Sequence, residues 1–358
     1  MIRVAIIGCG IVGASIAFEL SQFPELKVTV FDKQPPGQGS TGAALGVLMG
    51  VISHKTKGRN WQLRETSLQR YETLIPELEA VTGRKIPFNK QGILMLCSEG
   101  EDLSKWEKLV ATRESQGWKL EIWDVERVRE LCPHLYLNDK IIAAIYSPQD
   151  RQVDPTALTL ALVDAAERNG VIFEFGVPVE AAAIAASLEF DRLIVCAGLG
   201  SAAVTASLNQ LVDIRPVLGQ ALHLRSANPL GNPDFMPVIT CDDVHIVPLG
   251  DSLRDSFASR EFWVGATLEF SENGGEIPAN ADMLAQVMAR AIALCPGLAE
   301  AEIIRKWSGL RPRPEGRPAP IIETLPGNDR VFIASGHYRN GVLLAPATAR
   351  SIREMILQ

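Results

Sequence analysis

The sequence predicts an α/β fold in which a parallel-sheet domain, built from separated stretches of chain, is interrupted by an inserted α+β domain on an antiparallel sheet. Three observations predict it. A strand, a glycine-rich turn, a helix and a second strand follow one another within residues 1–33. A strand that is apolar on both faces returns at 193–198, as the centre of a parallel sheet requires. Residues 217–268 hold alternating runs broken by Pro, Gly, Asn and Asp, which is typical of antiparallel strands.

The opening unit has the spacing of a Rossmann-type dinucleotide-binding motif. Residues 3–7 form a short apolar run, a Gly-x-Gly-x-x-Gly pattern follows, and the apolar spacing of a helix covers 14–20. Gly8 permits the sharp turn out of the strand, Gly10 lets a pyrophosphate approach the backbone, and Gly13 lets the helix lie close on the sheet. The free amides and positive dipole of the helix N-terminus would then face the phosphate charge.

A second strand over residues 27–31 ends at Asp32, nineteen residues after Gly13. A carboxylate at this place can accept hydrogen bonds from the adenosine ribose and disfavours a 2′-phosphate, so NADP is the least favoured dinucleotide. A glycine-rich turn that binds nothing is disfavoured because strand, helix, second strand and acid are all in place. The motif alone does not separate NAD from FAD.

Bulk composition excludes several other classes of protein. With 358 residues the chain is long enough for two domains, and its net charge of −7 argues against bulk attraction to nucleic acid or an anionic membrane. No run reaches the roughly 18 apolar residues that cross a bilayer. The N-terminus is not expected to be a secretory signal, because its apolar run contains the glycine motif.

The cysteine pattern favours a cytoplasmic protein with reduced thiols. The six cysteines are widely scattered, with no Cys-x-x-Cys and no Cys/His cluster, so neither a metal site nor a disulfide framework is predicted. They are Cys9, Cys97, Cys132, Cys196, Cys241 and Cys295.

After the first unit, residues 34–50 are rich in glycine, proline and small residues, which predicts a loop. A long amphipathic helix over 61–82 follows. The block 84–147 resembles a separate α+β unit. Its predicted elements are a strand within 87–97, helices over 101–116 and up to residue 131, and a strand over 141–146.

The alternation of helix and buried strand then returns. Asp154 can cap a helix over 157–169, and Pro155 fits its first turn. A strand over 171–175 and the buried strand over 193–198 follow.

The second half of the chain predicts an antiparallel sheet and then a return to the nucleotide domain. The runs 217–224, 238–248 and 262–268 suggest the floor of a substrate domain. A helix over 281–295, strand and turn at 307–312 and 330–337, and a last helix over 343–357 complete the chain.

The segments group into two predicted domains. The nucleotide-binding domain comprises 1–83, 148–215 and 305–358, and the substrate-binding domain comprises 84–147 and 216–304. NAD dehydrogenases usually keep their nucleotide fold in one piece. The return of the C-terminal segment therefore favours a flavoprotein, because FAD is long and its ring must be reached from several segments.

Five stretches together resemble the D-amino-acid oxidase family of flavoenzymes, and most closely its glycine oxidase branch. The resemblance spans essentially the whole chain, and the last stretch is the most specific. The stretches are the N-terminal glycine motif, 40–44, 193–201, 309–312 and 336–348.

The resemblance implies noncovalent FAD and a fold made of an FAD-binding Rossmann-type domain and an inserted substrate domain. It further implies oxidation of the C–N bond of a small amino acid or amine, such as glycine, sarcosine or a D-amino acid, by hydride transfer to the flavin, with oxygen reoxidising the cofactor. The imine product is hydrolysed by water. The residues that it places at the cofactor are Gly8, Gly10, Ile11, Val12, Gly13, Asp32, Lys33, Ser40, Thr41, Ala43, Ala44, Val179, Ala197, Gly198, Arg311, Gly336, Arg339, Asn340, Gly341, Val342 and Leu343.

Arg311, His245 and Arg339 are the predicted catalytic residues. A substrate carboxylate needs a planar, bidentate and always charged donor, which arginine supplies. Without the resemblance, Arg311 would be read as a surface residue in a proline-rich loop, and Arg313 or Arg317 could share its task.

Two histidines receive different interpretations. His245 stands where the glycine oxidase branch tends to carry a tyrosine that helps to hold the carboxylate, which leaves the choice of substrate open. His337 is interpreted as a packing residue rather than a base. No protein base is required if the amine lone pair assists hydride transfer and orientation does most of the work.

Three alternatives remain open beside the oxidase. The chain could be an FAD-dependent dehydrogenase that passes electrons to a quinone or a protein, a flavin-binding module without turnover, or, as the least favoured, an NAD dehydrogenase. The expected partner is a small amino acid or amine. Neither nucleic acid nor a transmembrane segment is expected, and a homo-oligomer is left open.

Overall fold

The computed structural model describes residues 1–176, 190–250, 259–271 and 276–358. The helices are α1 (Ile11–Ser21), α2 (Gly58–Thr82), α3 (Leu103–Ser115), α4 (Val125–Leu131), α5 (Pro155–Arg168), α6 (Ser201–Ser207), α7 (Ala281–Leu294) and α8 (Gly341–Ile356). The strands are β1 (Ile2–Ile7), β2 (Leu26–Asp32), β3 (Val47–Leu48), β4 (Phe88–Asn89), β5 (Ile93–Ser98), β6 (Glu121–Trp123), β7 (Ile141–Ser147), β8 (Arg151–Val153), β9 (Ile172–Phe175), β10 (Arg192–Val195), β11 (Ile214–Leu230), β12 (Val238–Cys241), β13 (Val244–Leu249), β14 (Ser259–Gly265), β15 (Glu302–Pro314), β16 (Ile321–Thr324) and β17 (Val331–Ser335).

The first sheet is the predicted parallel sheet, with the strand order β16-β17-β10-β1-β2-β9. Its strands run parallel except for β16, which is antiparallel to β17 at one edge. In the register, Ile6 lies between Ile194 and Val30, and these three side chains, like that of Ala5 on the opposite face, are fully buried. Both faces of the sheet are therefore covered, as the apolar runs predicted.

The turn from β1 into α1 depends on Gly8. Its φ is +107°, in the left-handed region, and a β-carbon there would lie 2.5 Å from the carbonyl oxygen of Cys196, the residue directly after β10. No residue with a side chain fits this place without moving the neighbouring backbone. The helix therefore starts directly at the carboxyl end of the sheet.

Helices cover this sheet and join its distant segments. α1 packs against α5 and α8, and α2 packs against α8. The Tyr71 hydroxyl of α2 donates to the carbonyl oxygen of Val342 at 2.5 Å, which fixes the start of α8. Asp154 caps α5 as predicted, because its carboxylate accepts from the amides of Thr156 and Ala157.

The second sheet confirms the predicted antiparallel sheet, with the order β15-β11-β14-β13-β12-β5-β7-β6. It is antiparallel except for the pair β12 and β5. The strand β11 is its longest element and lies between β14 and β15. A second buried cluster, which includes Leu222, Phe262, Leu284 and Val287, joins this sheet to α7.

One strand differs from the predicted division into domains. β15 pairs with β11 from Glu302 to Pro314, so the boundary drawn at residue 305 falls inside a strand of the antiparallel sheet. Local spacing predicted a strand near 307–312 correctly, but it carries no information on which sheet receives that strand. The boundary drawn between residues 215 and 216 likewise falls inside β11. The grouping of the other segments, 1–83 and 148–215 against 84–147 and 216–304, stays a prediction.

Among the described helices, none combines the length and the hydropathy that a membrane span requires. The described residues likewise form no group of three or more His, Cys, Asp or Glu side chains that could hold a metal ion. All six cysteines lie within the described ranges as buried, free thiols.

Candidate cofactor and substrate site

One long cavity connects two places that the sequence singled out. They are the glycine turn over residues 8–13 and the closing segment, residues 336–348. Its volume is about 1160 Å³, and its lining includes both Gly10 and Gly341. Pockets for drug-sized ligands typically measure roughly 300–1,000 Å³, so this cavity can hold a larger molecule.

At the end near Gly10, the cavity meets the N-terminus of α1. The amide of Ile11 donates to the Thr41 hydroxyl at 3.0 Å, which brings the loop after β2 against the start of the helix. The Asp32 carboxylate accepts from the amide of Cys9 at 2.6 Å and from the amide of Gln34 at 2.9 Å. Glycine backbone, a helix N-terminus and an acid therefore converge on one side of the cavity, which suits an adenosine diphosphate group.

Most predicted cofactor residues line this cavity. They are Gly8, Gly10, Ile11, Val12, Asp32, Lys33, Ser40, Thr41, Ala43, Ala44, Ala197, Gly198, Arg311, Gly336, Arg339, Asn340, Gly341 and Val342. Lining a cavity does not establish a contact with a cofactor, so their roles stay predictions.

Three predicted cofactor residues fall elsewhere. Gly13 lies beneath the turn, where a β-carbon would come within 1.9 Å of the Gly8 carbonyl oxygen, so its contribution is close packing. The Leu343 side chain is buried in the core between the sheet and the helices. Val179 lies outside the described residues.

The loop over residues 40–44 is attached to β15. The Ser40 hydroxyl donates to the carbonyl oxygen of Leu310 at 2.6 Å, and the Trp307 indole donates to the carbonyl oxygen of Ala43 at 3.1 Å. At Gly309, an added β-carbon would lie 2.2 Å from that of Ala43. The cofactor loop and the antiparallel sheet are thus in direct contact across the cavity wall.

Arg311 faces the cavity from β15. Its Nη1 donates to the carbonyl oxygens of Leu218 at 3.2 Å and Thr267 at 3.1 Å. The guanidinium group lies directly over Gly219, where a β-carbon would meet both terminal nitrogens at 2.3 Å. Within the described part of the chain, Nη2 and Nε have no hydrogen-bond partner. One edge of the fork is therefore anchored, and other donors remain for a ligand.

The surroundings of Arg311 leave it a charged hydrogen-bond donor that can bind an anion. Burial and the nearby Arg339 lower the pKa of Arg311, whereas Asp243 and Glu269 raise it. Because the ordinary pKa of an arginine lies far above neutral pH, Arg311 remains charged there. A substrate carboxylate would meet a partly desolvated cation, where an ion pair is stronger than in water.

His245 also lines the cavity, from β13. Its Nδ1 lies 2.9 Å from the hydroxyl of Thr240 on the adjacent strand. Burial, together with Arg339 and Arg311, lowers the pKa of His245 to about 4. The imidazole is therefore neutral at physiological pH and can exchange hydrogen bonds with a ligand without carrying charge.

Arg339 lies on the 3₁₀ turn before α8 and pairs with Asp243, Nη2 to Oδ1, at 3.0 Å. Both side chains are about half exposed. This pair joins the closing segment to the β12–β13 turn at the rim of the cavity.

The other basic candidates have partners elsewhere. Arg313 pairs with Glu315 at 3.5 Å and Arg317 pairs with Glu323 at 2.5 Å. Neither arginine lines the cavity in the described residues. The geometry therefore favours Arg311 over both for a substrate carboxylate.

His337 lines the cavity, and its ring is packed against α8; the packing role stays a prediction. It is 3% exposed, and its Nε2 lies 2.9 Å from the Thr348 hydroxyl of α8. Burial and the nearby Arg59 lower its pKa to about 4. It is thus a neutral link between the closing turn and the helix.

Several lining residues were not singled out from the sequence. Gln220, Thr240 and Asp243 line the cavity from the antiparallel sheet and its turns. Arg64 of α2 also lines it, and its Nε is buried without a partner among the described residues. The sequence predicted only that Arg64 lies on an amphipathic helix over 61–82, and no local signal showed that this residue lines a cavity.

These residues fit FAD. The cavity has a helix N-terminus at each end, at Ile11 and at Gly341, where the positive end of the dipole favours anionic or electron-rich groups. Fold and cavity together define a dinucleotide-binding protein of the Rossmann type.

The chain belongs to the FAD-dependent oxidoreductase (DAO) family, whose model matches residues 3–355. The family assignment selects FAD as the cofactor and a flavoprotein over an NAD dehydrogenase, as the discontinuous fold predicted.

Similar proteins agree with this assignment. Glycine oxidase from Bacillus licheniformis is 28% identical over 368 residues, covering 98% of this chain and 92% of the relative. The bifunctional protein ThiO/ThiG from Synechocystis sp. is 31% identical, and the match covers 99% of this chain but only 51% of that protein. The crystal structure of glycine oxidase from Geobacillus kaustophilus superimposes with a TM-score of 0.84 at 24% identity, covering 100% of this chain and 95% of that one, which shows the shared fold.

Proposed function

We propose that this protein oxidises the C–N bond of a small amino acid or amine to an imine, with FAD as the hydride acceptor and oxygen as the final electron acceptor. The observation that carries the proposal is Arg311, a cavity-facing guanidinium with one nitrogen anchored on two carbonyl groups and the others free of partners in the described chain. The similarity to glycine oxidases supports the same substrate class.

Arg311 would bind the substrate carboxylate through paired N–H donors. Because the guanidinium lies against Gly219 and is held by Leu218 and Thr267, its direction is fixed before the substrate arrives. Pre-organised orientation of this kind can supply a large part of a rate enhancement, since less freedom is lost at the moment of reaction.

His245 would complete the substrate site as a neutral group. With a pKa of about 4 it carries no charge at neutral pH, so it does not compete with Arg311 for the carboxylate or repel a substrate cation. The Thr240 hydroxyl fixes one ring nitrogen and leaves the other for a ligand. A neutral amine nitrogen then needs no further protein base, because its own lone pair assists departure of the hydride.

FAD supplies the hydride acceptor and the route to oxygen. On the protein side, the α1 amides and Asp32 would hold the adenosine diphosphate half. The amides at the start of α8, whose position Tyr71 fixes through Val342, would face the ring, where the positive helix terminus favours added negative charge.

Anaerobic titration of the purified protein tests the proposal. We expect a yellow protein whose flavin absorbance is bleached by glycine, sarcosine or a D-amino acid. Arg311→Met should keep its flavin. The apparent affinity for the substrate, read from the concentration that bleaches the flavin, should fall roughly 30- to 1,000-fold, as expected for removal of a buried charge partner worth about 2–4 kcal/mol. Arg313→Met, whose parent residue pairs with Glu315 outside the cavity, is the matched control.

A protein that binds FAD, but whose flavin is bleached by no amino acid or amine, would refute the proposal. The alternative of a flavin-binding module without turnover would then remain. Peroxide formation in air separates the two catalytic alternatives. One equivalent of peroxide per substrate oxidised supports oxygen as acceptor, whereas reduction without peroxide assigns the electrons to a quinone or a protein.

A further inference from the structure

We propose that Glu269 is a positioning residue for Arg311, acting through Thr267 and Gln220 on the carbonyl groups that hold the guanidinium. The inference rests on the proposed function. It concerns a carboxylate that does not touch the ligand but decides where the carboxylate-binding group points.

Glu269 is buried, at 6% exposure, and accepts from three neutral donors. The Thr267 hydroxyl and the Gln220 side-chain amide donate to Oε1, the latter at 2.8 Å. The backbone amide of Asn280 donates to Oε2 at 2.8 Å. A buried carboxylate that is held in this way has a fixed position, because each donor loses its partner if the group moves.

The same residues control both anchors of Arg311. Leu218 and Glu269 exchange two backbone hydrogen bonds, at 2.9 and 3.0 Å, and the carbonyl oxygen of Leu218 is the first anchor. The carbonyl oxygen of Thr267 is the second anchor. The backbone carbonyl of Gln220 accepts from the backbone amide of Thr267 at 3.2 Å, and the backbone amide of Gln220 donates to the Thr267 hydroxyl at 2.8 Å.

The network therefore joins β11 to the segment after β14 directly behind the guanidinium. Thr267, Gln220 and Glu269 are each less than 8% exposed, so water does not replace lost partners at low cost. Glu269 also supplies a negative charge close enough to favour the charged form of Arg311. Its removal would loosen both carbonyl groups and weaken the local field that favours the cation.

The test uses Glu269→Gln in the full-length holoprotein. Glutamine has nearly the same shape, but its amide nitrogen cannot accept from the Asn280 amide or the Thr267 hydroxyl. We expect KM for the amino acid to rise about tenfold, kcat to change less than about twofold, and FAD content to be unchanged. Tenfold corresponds to about 1.4 kcal/mol.

Acetate provides a readout that is independent of turnover. Its binding, followed by the change in the flavin spectrum, should weaken by about tenfold in Glu269→Gln. Thr267→Val keeps the anchoring carbonyl and removes only the hydroxyl, and should weaken acetate about threefold. Glu261→Gln is the matched control, because Glu261 lies in the same sheet and bonds to His223 and Arg225 instead; it should stay within twofold of the wild type.

If both network variants bind acetate as the wild type does while Arg311→Met does not, the positioning role is wrong and the proposed function stands. If Glu269→Gln loses kcat or FAD with unchanged acetate affinity, the inference also fails. A wild type that binds acetate but is reduced by no amine refutes the proposed function alone, and the acetate series still reports on Glu269.

Discussion

The two ends of the cavity are built in different ways. The end near Gly10 is made of backbone from one contiguous stretch, in which β1, a turn, α1 and β2 follow directly. The end at Arg311 is made of side chains and carbonyl groups from β11, β13, β15 and the segment after β14. The first end is rigid because glycine packing leaves no room, and the second is fixed because hydrogen bonds converge from separate strands.

This difference indicates a division of labour. A diphosphate needs many amides at a helix N-terminus, which local chain geometry supplies. A small carboxylate needs one cation in one orientation, which only several distant segments can fix. Damage to the first end should therefore remove the cofactor, and damage to the second should leave the cofactor and impair substrate use.

The largest effect is expected for Gly13→Ala at the end of the cavity near Gly10. The new β-carbon would meet the Gly8 carbonyl oxygen at 1.9 Å, so the turn must open and its amides must move. We expect purified protein without flavin, measured as visible absorbance per protein. Gly250→Ala is the control, because a β-carbon there has nothing within 4 Å and should retain full flavin.

Gly219→Ala should break the other end alone. Its β-carbon would lie 2.3 Å from both terminal nitrogens of Arg311, so the guanidinium must leave its anchors on Leu218 and Thr267, whereas the backbone can stay in place. Since a misplacement of about 1 Å can cost 10²-fold, we expect kcat/KM to fall roughly 100-fold with flavin content unchanged. Loss of flavin in this variant would contradict the division between the two ends.

Asp150→Asn should show how the segment over 49–53, part of which lines the cavity, is held. The buried Asp150 carboxylate accepts from the amides of residues 50–52 at 2.7–2.9 Å and from the Ser147 hydroxyl at 2.8 Å. The NH₂ group of an asparagine would face one of these N–H or O–H donors and leave it without an acceptor. We therefore expect a loss of about 2–3 kcal/mol in the free energy of unfolding. Denaturant unfolding measures it, and an unchanged midpoint would refute the role.

His337→Gln should remove a pH dependence from the closing segment. The folded pKa of His337 is about 4, against about 6.5 when unfolded, so the unfolded state binds more protons between these values. Its contribution is present above pH 6.5 and is lost as pH falls towards 4, by up to about 3 kcal/mol. The wild type should lose more stability than the variant over this window, and parallel unfolding curves would exclude this role.

The smallest effect is expected for Asp243→Asn at the cavity rim. Exposed ion pairs are typically worth about 0–1 kcal/mol, so the fold should be unaffected. Freeing Arg339 from its carboxylate should lower KM for an amino acid by about two- to fivefold at low salt, and the gain should vanish at high salt. Asp213→Asn, whose parent pairs with Arg215, is the control and should leave KM unchanged.

The same contrast explains what could be predicted from the sequence. The turn at the Gly10 end of the cavity was predicted, because Gly8, Gly10, Gly13 and Asp32 stand at fixed spacings that local geometry requires, and the contacts of these residues with a cofactor stay a prediction. The parallel sheet and the antiparallel sheet were also predicted, because buried and alternating runs have different periods.

The end of the cavity at Arg311 was predicted only in part. Arg311 came from the family resemblance, since its own surroundings suggested a surface loop. Gln220 and Glu269 were missed because they meet each other across 49 residues of sequence, and the carbonyl group that they help to place belongs to Leu218, which is 93 residues from Arg311. The only available signal was the polar pair Thr267 and Glu269, two residues apart and therefore on one face, beside an apolar run.

The attachment of the 40–44 loop to β15 links the melting of the two sheets. Two hydrogen bonds and the close approach of Ala43 to Gly309 tie the loop over residues 40–44, which lines the cavity, to a strand of the antiparallel sheet. Heat or denaturant cannot detach one sheet without straining the other, so the holoprotein should lose its flavin and its near-ultraviolet circular dichroism in the same transition. Ligands at either end would then protect the whole chain from proteases, because they stabilise one cooperative unit.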